Sequence, residues 1–149
     1  MNQFITLISL LLLAGCSRDI SHDSRYKTDY VIGATYRVLR PLVVKEVEHD
    51  AVMVEVASEW ELGLIAKTGR GQTQNTVGSV PPSTLIRLET LVYETNLEAG
   101  NTIWVKGRFL NGRFAKKEVE LLLVSKREGP THLGVPQVDT NVLQKVKEP

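Results

Sequence analysis

The sequence predicts an all-β fold, a small antiparallel barrel or sandwich of five to six strands with at most one short C-terminal helix. Three observations lead there. Apolar and polar residues alternate with a period of two in several short segments after Gly33, turn-forming residues separate those segments, and no long stretch carries a helical period. The 149 residues, 42% hydrophobic and 23% charged, suit one globular domain.

Taken in order, residues 36–44 are rich in Val, Leu and Tyr. Pro41 within them marks an edge strand or a bulge, because proline has no N–H to give a ladder. Val52, Val54 and Val56 alternate with Met53 and Glu55, so one face is expected to be buried and the other wet. Residues 58–66 are ambiguous: Ser58 and Glu61 fit a capping box, while Gly63 weakens a helix and the segment also alternates acceptably as a strand. Residues 85–93 set Ile86, Leu88 and Val92 against Arg87, Glu89 and Leu91. Ile103, Val105, Gly107 and Phe109 then alternate with Thr102, Trp104, Lys106 and Arg108. Asn111-Gly112 follows, and this dipeptide tolerates the positive φ of a type I′ turn, which predicts one hairpin over residues 102–124. Its return strand is expected to carry Val119, Leu121 and Leu123 on one face. Beyond residue 127 the chain holds Pro130, Pro136 and Pro149 and is expected to be irregular, with Asp139 capping one short helix that turns Val142, Leu143 and Val146 inward.

The N-terminus has a different composition. Residues 1–15 contain no charged side chain, and Phe4 to Leu13 is an apolar run relieved only by Thr6 and Ser9. Ten residues at about 1.5 Å each reach roughly half of a bilayer core, the length of a signal-peptide core and not of a membrane span. The run ends in Leu13-Ala14-Gly15-Cys16, which resembles the lipobox of bacterial lipoproteins. The resemblance covers the first sixteen residues. It implies that Cys16 becomes the first mature residue, carries a thioether-linked diacylglycerol and usually a further acyl chain on its amine, and anchors the protein durably in a membrane. Ser17 where Asp would retain a lipoprotein inside implies an outer-membrane, periplasm-facing address. The expected organisation is therefore a signal peptide over 1–15, a flexible tether over 16–32 with mixed charges and three serines, an all-β domain over 33–126, and a tail over 127–149.

Composition narrows the function. The single Cys forms no intramolecular disulfide, three scattered His offer little for a metal, and 18 Lys+Arg against 17 Asp+Glu give no global field for nucleic acid. Nucleophile elbows, Walker loops, His-Glu-x-x-His and Cys-x-x-Cys motifs are absent, so neither a cofactor nor a small-molecule substrate is indicated. His22-Asp23 falls in the expected tether and His49-Asp50 in a turn. Gly69-Arg70-Gly71-Gln72-Thr73 has the look of an anion-binding loop but lacks a following helix, which favours a hairpin tip. Charge is segregated: Glu46, Glu48, Asp50, Glu55, Glu59 and Glu61 precede a cluster of Lys106, Arg108, Arg113, Lys116 and Lys117. Trp104 shares a strand face with Lys106 and Arg108, a strip that would take the phosphates of lipopolysaccharide, an acidic glycan or a nucleic-acid strand. The competing expectation is that the basic hairpin pairs with Glu46, Glu48 and Glu55 across strands and is neutralised. The favoured reading is a lipid-anchored binding or assembly module with an envelope protein partner, and not an enzyme.

Overall fold

A computed structural model describes residues 16–47, 50–69, 71, 73, 75–96, 100–127 and 134–147. Leu13 to Gly15 of the lipobox, Glu48, His49, Arg70, Gln72, Pro130 and Pro149 lie outside these. The described chain forms β1 (Cys16–Asp19), β2 (Thr35–Val38), β3 (Leu42–Glu46), β4 (Val52–Val56), α1 (Glu59–Thr68), β5 (Thr76–Val80), β6 (Leu85–Asn96), β7 (Gly100–Phe109), β8 (Glu118–Glu120), a 3₁₀ turn at Leu122–Val124, β9 (Ser125–Arg127), β10 (Pro136–Val138) and β11 (Leu143–Lys145).

The protein is mostly β, as expected, but the finer picture changes. Nine strands form one sheet in the order β11-β2-β6-β7-β8-β4-β3-β5 with β1 added to β6, and β9 and β10 form a separate ribbon. The sheet is mixed, because β4 pairs parallel to β8 through Val52↔Val119, and it does not close into a barrel. The count exceeds five to six because β8 to β11 have three residues each, too few to show a period of two, and β1 is exposed throughout and carries no alternation.

The period-two segments behave as their patterns require. Val52 and Val54 are buried on β4, and Ile103, Val105 and Phe109 on β7. Gly107 sits in that row because a Cβ there would stand 2.6 Å from the Arg87 carbonyl oxygen of β6. The pattern misleads on β6. The register slips between Leu88 and Thr90, so Glu89 is an extra residue that inverts the phase, and Leu91 instead of Val92 enters the core. Pro41 lies between two strands and not within one, and its carbonyl accepts the Ala57 N–H at 3.0 Å.

The ambiguous segment is helical. The Ser58 side chain accepts from the Glu61 N–H, the Glu61 carboxylate accepts from the Ser58 N–H, and Gly69 ends the helix at φ 69°. It is the one α-helix among the described residues. The expected C-terminal helix is replaced by a single turn, in which Asp139 accepts the N–H groups of Asn141, Val142 and Leu143 before the chain extends into β11. Val142 and Leu143 are buried nonetheless.

The hairpin around Asn111-Gly112 has a different tip. Gly112 has φ 77° but Asn111 is not left-handed, and the loop runs over 110–117 with Lys116 at φ 72°. Asn111 spends its side chain accepting the Leu85 N–H at 2.8 Å, which pins the loop to the start of β6. The return strand is only Glu118–Glu120, and the 3₁₀ turn carries Leu123 out to solvent at 50% exposure.

The segment expected to be a tether is packed. β1 pairs with the second half of the β6 edge and β2 with the first, and Ile20 N–H→Leu91 O and Gly33 N–H→Leu88 O bridge the gap, both at 2.9 Å. Ile20 is 2% and Tyr30 4% exposed. Tyr30 meets Tyr36 edge-on at 5.7 Å, and its hydroxyl bonds Ser125 Oγ at 2.8 Å. Residues 28 and 29 lace onto β10: Thr28 Oγ1 donates to the Pro136 carbonyl, Asp29 N–H to Gln137 Oε1, and Val138 N–H to Asp29 Oδ1. Two stretches whose composition resembles linker therefore satisfy each other.

Candidate functional site

Two regions hold the residues singled out in the sequence. The first surrounds Cys16, a free, exposed thiol at the start of β1 opposite Thr95. Asp23 caps the turn beside it, accepting the Arg25 N–H and facing the Arg25 guanidinium at 2.6 Å. That guanidinium, helped by the backbone bond and by Arg18, holds the Asp23 carboxyl down at about 2. Arg18 reaches the same carboxylate at 3.8 Å and donates to the Tyr26 hydroxyl at 3.3 Å. His22-Asp23 is thus a turn whose acid is committed to two arginines.

The second region is the basic hairpin. Trp104, Lys106 and Arg108 do share one face of β7, as their spacing requires. Lys106 stands 3.4 Å from Glu118 and 3.7 Å from Glu120 on β8, one strand over. Burial raises the Glu120 carboxyl above its usual range, and Lys106 offsets part of that. Arg108 grips Glu89 with two donors at 2.7 and 3.0 Å, an interaction that raises the guanidinium's own pKa. Its partner is the bulge residue of β6, which the extra residue turns outward. Cross-strand pairing is therefore present, but with Glu89, Glu118 and Glu120 in place of Glu46 and Glu55, of which Glu55 is engaged by Lys45; Glu48 lies outside the described residues.

The rest of the cluster divides. Arg113 lies over the Phe114 ring at 5.5 Å. Lys116, Lys117 and Arg108 line a surface depression of about 410 Å³ together with Asp50 and Glu118, with Lys117 3.9 Å from Asp50. Three cations meet two anions there. The Trp104 indole N–H is buried without a hydrogen-bond partner among the described residues.

Sequence reasoning missed the Arg18, Arg25, Tyr26 and Tyr93 cluster near Cys16, because mixed charges and serines masked the apolar residues at 20, 26 and 30. The signal was available in Asp19-x-Ser21 and Asp23-x-Arg25, where each Asp accepts the N–H two residues on, at 2.8 and 3.1 Å. Among the described residues no group of His, Cys, Asp and Glu is arranged to hold a metal, and no helix is long and apolar enough to cross a membrane. No family model matches the sequence, and neither a curated protein nor a solved structure matches it.

Proposed function

We propose that this chain is a bacterial lipoprotein, held at the outer membrane through acylated Cys16, whose β domain faces the periplasm as a non-enzymatic binding or assembly module. The observation that carries the reading is Leu13-Ala14-Gly15-Cys16 closing an uncharged, apolar leader. An exposed Cys16 thiol is compatible with acylation. The module half of the reading is supported by Trp60, which is 61% exposed on a helix with no buried residue, since a large solvent-facing aromatic is the kind of side chain that anchors protein interfaces. Among the described residues, the ionisable clusters are ion pairs and turn caps, an arrangement suited to structure more than to proton transfer.

Metabolic labelling with a fatty-acid analogue tests the anchor. Wild-type protein should incorporate label and fractionate with the outer membrane, while Cys16→Ala should incorporate none and accumulate as an unprocessed or mislocalised precursor. Equal incorporation into both would reject the reading.

A further inference from the structure

β1 begins at Cys16, so the residue proposed to carry the acyl chains is itself a rung of the sheet, paired with Thr95 and through it with Asn101 at the β6–β7 end. Side chains two apart on a strand share a face, which places Cys16 and Arg18 beside their cross-strand partners Thr95 and Tyr93. On that face the Arg18 guanidinium lies 5.8 Å from the Tyr93 ring centre, and Tyr93 packs on Tyr26 at 5.8 Å. Arg25 lies 6.0 Å from the Tyr26 ring centre. On this face two guanidiniums share the single carboxylate of Asp23, a local surplus of one positive charge, while Asp19 and Glu94 occupy the alternate rungs and so belong to the opposite face of the strand pair. Half-buried tyrosines beside arginines suit the boundary between lipid headgroups and water, where the ring bodies are apolar, the hydroxyls are wet and guanidinium pairs with phosphate.

We infer that the domain stands directly on the bilayer, Cys16 end down, with Arg18, Arg25, Tyr26 and Tyr93 seated among phospholipid headgroups. The inference rests on the acylation of Cys16 proposed above. With no spacer between sulfur and sheet, the side chain and its glyceryl group set the whole separation from the membrane. A flexible tether over 16–32 would allow about 20 Å or more and any orientation. Asn101, near the start of β7, and Leu110, one residue past its end, are nine residues apart and so about 30 Å apart along extended chain. The two positions should therefore sense different surroundings.

The test uses full-length protein purified with its acyl chains and reconstituted into vesicles of phosphatidylethanolamine and phosphatidylglycerol. Asn101→Cys or Leu110→Cys supplies the one free thiol, since Cys16, the only natural cysteine, is consumed by its thioether. A fluorophore at position 101 should be quenched several-fold more by headgroup-labelled lipid than one at position 110. Mass spectrometry of the N-terminal peptide on the same sample reads acylation separately. Unacylated Cys16 would overturn the anchor and the orientation with it, whereas acylated protein with equal quenching at both positions would overturn the orientation alone. Replacing Arg18 and Arg25 together by Gln, with acylation intact, should reduce the contrast. An unchanged contrast would remove the arginines from the headgroup contact.

Discussion

Lys116 occupies a left-handed position at φ 72°, where a Cβ costs about 1 kcal/mol, so Lys116→Gly should raise the unfolding midpoint modestly. Gly112 is the converse case: nothing lies within 4 Å of where its Cβ would be, and the expected loss of more than about 1 kcal/mol in Gly112→Val is purely conformational. Thermal unfolding of the two variants should move in opposite directions. Tyr30 gives a pH dependence. Burial raises its phenol above the ordinary 10.0, opposed only in part by the bond to Ser125. The unfolded chain therefore ionises first, so the stabilisation is complete below pH 10 and declines as pH rises beyond it. Tyr30→Phe should lose about 1 kcal/mol at neutral pH for the missing hydrogen bond, yet show a shallower alkaline decline. Identical slopes for the two proteins between pH 9 and 11 would refute the assignment.

Strands were legible where side chains alternate over five or more residues and illegible where pairing depends on partners distant in sequence. Val52 to Val56 announces β4 because one face is apolar and the other is not. β1, Cys16-Ser17-Arg18-Asp19, carries no such signal; it extends because β6 offers it a free edge, and all four residues are exposed. The bulge at Glu89 is equally silent, since a surplus residue is defined only by the strand it fails to match. Residues 28–30 and β10 depend on each other for their hydrogen bonds, a link across more than 100 positions that composition does not carry. Of the candidate site, Cys16 and the shared face of Trp104, Lys106 and Arg108 were readable from spacing, whereas the acids that pair with the cations were not. Ile20→Ala separates the packed segment from a tether: an almost fully buried Ile should cost about 2–4 kcal/mol, and a residue on a free linker nothing. Denaturant unfolding of a variant chain beginning at Cys16 measures it.

The protein's surface charge is arranged so that its most basic stretch has little left to offer. Lys106 has two carboxylates within 4 Å, Arg108 has Glu89, and Lys117 has Asp50, while the chain as a whole carries +1. A polyanion would have to displace those acids without the long-range attraction that a strongly charged protein supplies. We therefore expect wild-type protein to leave a heparin column at low salt. The double change Lys106→Gln with Arg108→Gln should leave that elution almost unmoved and cost only a few tenths of a kcal/mol per pair, as exposed ion pairs do. Retention into high salt that falls, with a flatter salt dependence, in the double variant would reverse the conclusion: counterion release would then show that the strip gives up Glu89, Glu118 and Glu120 for phosphate or sulfate, and the domain would be a polyanion receptor.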